Sequence, residues 1–243
     1  MFSASSFAML RADDSLNGTW SLLTESGGLR LEVNWSNGRE GSHDSTLRPI
    51  DANALGIAGA LASGGEHVRF ALHREAGDYA MEGWIGGGKG GGTYTYTPNA
   101  AFFAYLQKRG ISVDTPGDEL TAADLDLTRE FVEEMLGLGY HLDFNALIEL
   151  RALRVDRAYV EAMRAQGVTG LDQHSVVELK ALRVDASYIQ ELAAGGYPHL
   201  SANEYVQLKA LHVDGAYLKR LASHGLTHLT VEQVINYKAL GIK

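Results

Sequence analysis

The chain has 243 residues, 45% of them hydrophobic and 21% charged, with a net charge of −9 and no cysteine. That length suits one large domain or two ordinary ones. The missing cysteines exclude disulfides, thiolate metal sites and a cysteine nucleophile, and the negative charge of both halves (−3 for residues 1–115, −6 for 116–243) argues against a nucleic-acid or anionic-lipid binder.

Met1 to Arg11 has no basic region followed by a long apolar core, so no signal peptide is expected there. The longest apolar run, Ala54 to Ala62, is far short of the roughly 20 residues of a membrane span, so no membrane insertion is expected. The first hundred residues carry the period of β-strands. Leu29, Leu31, Val33 and Trp35 alternate with Arg30, Glu32 and Asn34, and Val68, Phe70 and Leu72 alternate with His67, Arg69, Ala71 and His73. Tyr79 and Met81 flank Ala80, and Tyr94 and Tyr96 alternate with threonines. Period two marks a strand with one buried face. Gly27-Gly28 reads as a hairpin turn, and a second turn is expected within Gly86 to Gly92. These segments predict an antiparallel sheet, curled into a small barrel or sandwich.

Pro98-Asn99 closes the β-region, and Asn99 is placed to cap a helix over Ala100–Arg109. Phe102, Phe103, Leu106 and Gly110 match Tyr159, Val160, Met163 and Gly167 in spacing, so this helix reads as a degenerate half-repeat. Residues 112–124 read as a loop with a poor second helix.

Residues 128–243 read as four copies of a unit of about 29 residues, opened by Thr128, Asp156, Asp185 and Asp214. Gly139, Gly167, Gly196 and Gly225 recur at one phase, and Leu142, Leu171, Leu200 and Leu229 at another. A repeat of this length predicts a solenoid of helix pairs. In the copy from Asp156 to Val184, Asp156 caps the first helix, Tyr159, Val160 and Met163 form its apolar stripe, and Gly167 ends it. Asp172 caps the second helix, where Ser201 and Thr230 stand in later copies. Val176, Val177, Leu179, Ala181 and Leu182 cover most of the second helix's circumference, which makes it the inner one. The predicted fold class is therefore α+β: an antiparallel β-domain (1–98), a half-repeat and linker (99–127) and an α–α solenoid (128–243).

Arg151, Lys180, Lys209 and Lys238 recur at one phase, with Arg154, Arg183 and His212 three residues on. They could engage an acidic partner. The structural alternative is stronger: cations in the last turn of a helix favour its dipole, and their stems cover apolar surface. His141, His199 and His228 also recur, but Gly170 replaces the histidine in the second copy. Stacked equivalents lie about 10 Å apart, too far to share a zinc ion, so no metal and no cofactor is expected.

In the β-half, Lys89 is followed by glycine and then by a strand pattern, which does not fit a phosphate-binding loop. His73, Glu75, Asp78 and Glu82 could do acid–base work or glycoside hydrolysis, although Glu75 and Asp78 flank a turn glycine and read more simply as solvated charges. Trp84, Tyr94 and Tyr96, with Trp35, could stack on a sugar or fill the core of a small sheet.

The repeat, "DRAYVEAMRAQGV…VVELKALRV", resembles helical repeats in the extracytoplasmic tails of bacterial membrane metallopeptidases of the beta-lactam-sensor type, and in proteins near anti-sigma factors. The segment "VRFALHREAGDYAMEGWIGGGKGGGTYTYTPNAAFFAYLQKRG" resembles the β-region that precedes those repeats. The resemblance covers roughly residues 18–243 and implies no catalytic residue. The peptidase's zinc motif is not in this sequence, so its activity is not implied. What the resemblance implies is an envelope-facing sensing or interaction role, hence a periplasmic or extracytoplasmic location in place of a cytoplasmic one. The leading expectation is a non-catalytic module that binds a protein or peptide. The alternatives are a metal-independent hydrolase with its site in the β-domain or where the sheet meets the first helix, and a carbohydrate-binding module.

Overall fold

The computed structural model describes residues 15–26, 28–37, 41–47 and 50–242. The hairpin residue Gly27 and the segment Met1 to Arg11 lie outside the described residues. The chain divides into two compact units, Met1–Val132 and Glu133–Lys243. The division falls inside a helix, so residues 99–127 group with the sheet.

The first unit is built on six antiparallel strands: β1 Leu16–Glu25, β2 Gly28–Asn37, β3 Gly41–Leu47, β4 Glu66–Arg74, β5 Gly77–Gly86 and β6 Lys89–Pro98. A short helix, α1 (Ala58–Ala62), stands between β3 and β4. The strand order is β3-β2-β1-β6-β5-β4, so two three-stranded meanders meet along β1 and β6. Among the described residues β3 and β4 do not pair, and the sheet is open where a barrel or sandwich was expected.

One face of this sheet forms the core. Trp20 on β1 pairs with Val33 on β2 and Gly92 on β6, and Gly92 pairs with Gly83 on β5. The two glycines clear a path for the indole. It crosses β6 and β5, donates its Nε1–H to Glu82 O (3.2 Å) and Thr93 O (3.0 Å), and meets the Phe70 ring on β4 edge-on at 5.3 Å. A methyl group on Gly83 would sit 2.8 Å from Trp20 and 2.2 Å from the Gly91 carbonyl; one on Gly92 would sit 2.0 Å from the Glu82 carbonyl. The glycine-rich run is thus mostly strand. Only Gly87 and Gly88, with φ of 57° and 76°, make the turn. Two successive left-handed residues match the twist of the strands they join.

Two helices complete the unit. In α2 (Ala100–Lys108) the Asn99 side chain accepts from the Ala101 amide. Within residues 112–124 the loop is short, and the second helix is well formed where a poor one was expected: Pro116–Asp124 forms α3, with Thr115 and Asp118 in a reciprocal capping box and Pro116 in the first turn. The remaining helices are α4 (Arg129–Gly137), α5 (Phe144–Ala152), α6 (Arg157–Ala165), α7 (Gln173–Ala181), α8 (Ala186–Ala194), α9 (Ala202–Ala210), α10 (Gly215–Ser223) and α11 (Val231–Ala239). Asp143, Asp156, Asp172, Asp185, Ser201, Asp214 and Thr230 cap α5 to α11 through their side chains. In the second unit α5 packs on α7, α7 on α9, α9 on α11, and α8 on α10.

Asp126, Arg154, Arg183 and His212 follow α3, α5, α7 and α9 with φ of 54° to 57°. His199 and His228 are left-handed too, as is Gly170 at the same phase. His141, the first member of the series, is not left-handed; from the second copy on, the shared left-handed backbone lets glycine stand where later copies carry histidine.

The glycine path gives a direct test. Gly83→Ala and Gly92→Ala should each destabilise by about 1–3 kcal/mol or more through overpacking. Gly59→Ala in α1, where a methyl group meets nothing within 4 Å, should stabilise by about 0.5–1 kcal/mol. Urea unfolding followed by tryptophan emission measures all three.

Candidate functional site

Alternation along β4 and β5 sends His67, Arg69, Ala71 and His73, together with Asp78, Ala80, Glu82 and Trp84, to the face opposite the core. This outer face gathers three of the four acid–base candidates. His73 Nδ1 lies 2.9 Å from Asp78 Oδ1, directly across the ladder and in solvent. Glu82 Oε1 accepts from Arg69 Nη2 at 3.0 Å and lies 3.2 Å from His67 Nε2. Glu75 is elsewhere, in the β4–β5 turn. Its Oε2 accepts from the Arg129 amide at 3.2 Å and its carbonyl from Asn99 Nδ2 at 2.9 Å, so it joins the turn to the helices that follow.

This geometry does not make an acid–base pair. Asp78 and Glu82 are four residues apart on one strand, about 13 Å between backbones. Paired glycosidase carboxylates stand about 5–9.5 Å apart. The Arg69 guanidinium also holds the Glu82 carboxyl below its ordinary range, the wrong direction for a general acid.

The aromatic candidates separate between the two faces. Trp84 is 62% exposed and meets His67 edge-on at 5.6 Å. Tyr94 and Tyr96 are buried on the core face, as are Trp20 and Trp35, so they form no sugar-stacking surface. The Tyr96 hydroxyl donates within the core, to the carbonyl of Ala76 (2.9 Å) or of Glu119 (3.1 Å). On the outer face, starting one ladder row from Trp84, lies a shallow depression lined by Arg69, Ala71, Ala80, Glu82, Thr93 and Thr95.

A cluster the sequence reading missed lies on the core side. Asp124, the last residue of α3, is 2% exposed. It accepts a hydrogen bond from the Tyr79 hydroxyl and pairs with His43 Nε2 at 2.7 Å. Arg74 pairs with Asp126 at 3.1 Å, two residues on. The carboxyl stands at the C-terminal end of α3, and His43 and Tyr79 supply its hydrogen-bond partners. Hydrogen bonding to Asp124 raises the His43 pKa, with Asp44 adding to the same effect. Burial, with Asp124 beside it, raises that of Tyr79. The cluster acts as a clasp between β3, β5 and α3.

In the second unit the predicted basic ladder has partners. Lys180, Lys209 and Lys238 place Nζ 4.1, 4.0 and 4.3 Å from the ring centres of Tyr159, Tyr188 and Tyr217. Those tyrosines donate their hydroxyls to the carbonyls of Val184, Val213 and Ile242 at 3.0, 2.8 and 2.9 Å, each 25 residues ahead. Arg151 holds the same last-turn place in α5. A different surface is open. Asn145, Glu149 and Ala152 form a solvent-facing stripe on α5, repeated as His174, Glu178 and Ala181 on α7, Asn203, Gln207 and Ala210 on α9, and Glu232, Asn236 and Ala239 on α11. Spacing of i, i+4, i+7 puts each trio on one helix face.

Two measurements check these assignments. A raised His43 pKa means a stability contribution present below the unfolded value of 6.5 and lost as pH rises through the folded value. Thermal unfolding from acid to alkaline pH should therefore show a loss of stability through that window, which His43→Gln removes. Lys180→Glu and Lys209→Glu should each lower Tm by about 2 °C or more, because each removes a cation from a tyrosine face; an unchanged Tm would make the lysines free for a partner.

Compared with known proteins, the chain matches no family model, no curated protein and no solved structure.

Proposed function

We propose that the helical unit is an α–α solenoid of about four 29-residue helix pairs, and that it acts as a non-catalytic surface for an extended, basic peptide segment of a protein partner. The observation that carries this reading is the three-row stripe on α5, α7, α9 and α11. Its carboxamides, Asn145, Asn203, Gln207 and Asn236, can each donate to and accept from a peptide backbone. Glu149 and Glu232 favour cationic side chains, and Glu178 lies 3.4 Å from His174 of the same stripe. The alanine row keeps one edge low, so a chain can approach closely. Packed helices stand about 8–10 Å apart, and an extended peptide rises about 3.3 Å per residue, so each helix meets roughly every third residue.

The lysines support the same reading by default. Stacked on tyrosines, they hold the helices together, and the open stripe has the opposite charge. A partner complementary to it is basic, not acidic as the basic ladder alone suggests. A peptide-reading surface also fits the envelope-sensing role implied by the resemblance to sensor-peptidase tails. Hydrolysis by His73, Glu75, Asp78 and Glu82 has less support, because their carboxylates are held apart and ion-paired.

Selection from a displayed random-peptide library tests the proposal. The expected outcome is a set of Lys/Arg-rich binders with no helical periodicity. Their affinity should fall about tenfold in Asn203→Ala/Gln207→Ala, two lost hydrogen bonds at about 0.5–1.5 kcal/mol each, with Tm unchanged. Failure to select any binder, or binders indifferent to that double variant, would count against it.

A further inference from the structure

The outer face of the sheet leaves one large aromatic in solvent. Trp84 is far more exposed than the other two tryptophans, and its cross-strand neighbour on β6 is Gly91. A glycine there puts no side chain against the indole. The next residue across, on β1, is the small Ser21. One side of the ring is therefore bare while His67 supports the other.

The polar groups beside the ring are fixed in place. Glu82, two residues along β5 and on the same face, receives both Arg69 and His67 on Oε1. That leaves Oε2 as an acceptor and the remaining N–H groups of Arg69 as donors. The depression begins at this pair, with Thr93 directly across from Glu82 and Thr95 across from Ala80. An aromatic plane, a carboxylate, a guanidinium and hydroxyls thus lie within two or three residues of one another on a rigid ladder.

We propose that Trp84, Glu82 and Arg69 form a carbohydrate subsite, in which the C–H face of one sugar ring stacks on the indole and neighbouring hydroxyls bond the carboxylate and guanidinium. A sugar has the matching pattern, one apolar ring face edged by vicinal hydroxyls that both donate and accept. A protein partner fits the face less well. A standard interface covers about 800 Å² on each side with an apolar centre, whereas this face is mainly polar or small side chains, with Trp84 and Leu23 its exposed large apolar residues among the described ones. The subsite is one for binding: the Arg69 guanidinium lowers the Glu82 pKa, and Asp78 on the same strand is about 13 Å away, beyond hydrolytic distance. It is independent of the peptide surface of the helical unit.

The test uses the full chain titrated with chitotriose, cellotetraose, xylotetraose, maltotetraose and mannotetraose, each up to about 10 mM, with tryptophan emission and calorimetry as readouts. At least one should give a saturable change that Trp84→Ala abolishes and Glu82→Gln weakens about tenfold or more, while both variants keep the parent Tm. No saturable change with any of the five overturns the proposal, and so does a response that survives Trp84→Ala. Sedimentation supplies a third outcome: a dimer that depends on Trp84 would assign the indole to a second copy of the chain and likewise overturn it.

Discussion

A buried carboxylate governs the shape of the first unit. Asp124 can stay ionised out of water only if groups on the protein replace its hydration. It finds them on β3 and β5, which are four strand positions apart in the sheet. On a flat sheet those strands would be about 19 Å apart, so one carboxylate can reach both only when the sheet curls around the end of α3. That curl sets which face is inside. It encloses Trp20, Tyr79, Tyr94 and Tyr96 and turns Trp84, Glu82 and Arg69 outward. Removing the carboxylate leaves a buried Tyr79 hydroxyl without its acceptor, a cost of about 1–3 kcal/mol before any change in curvature.

The second unit solves a different problem. Helices of nine residues do not persist alone in water, and hydrophobic stacking by itself does not fix how far one helix slides past the next. The Tyr159, Tyr188 and Tyr217 hydroxyls give α6, α8 and α10 a fixed polar mark on the chain 25 residues ahead. The lysines on the same rings then keep charge at the surface while their stems cover the seam. Burial supplies the energy, and the tyrosines supply the register.

Much of this was legible in the sequence, where neighbouring residues share a period. The alternation of Val68 to Leu72, the caps at Asp156 and Asp185 and the spacing of Gly110 to Gly225 all report local geometry. Strand β3, GSHDSTL, has a single large apolar residue because it lies at an edge, and it left no periodic signal. Helix α3 was expected only as a poor helix, because its Pro-Gly start also suits a loop. Asp124 was invisible because its partners are 45 and 81 residues away. The division of the aromatics was available and not used: Trp84 shares its parity with Asp78 and Glu82, while Tyr79, Met81 and Ile85 share the other.

The left-handed residues after α3, α5, α7 and α9 carry a further consequence. With His199 and His228 they make six described positions where a side chain occupies backbone space that glycine fills without strain. A left-handed residue with a β-carbon costs on the order of 1 kcal/mol, and the chain uses glycine at the equivalent Gly170 and Gly241. The loops between helices therefore hold a reserve of thermostability that the molecule has not drawn on. A heat-resistant form of this protein would differ first at those loops, and its core would need no repacking.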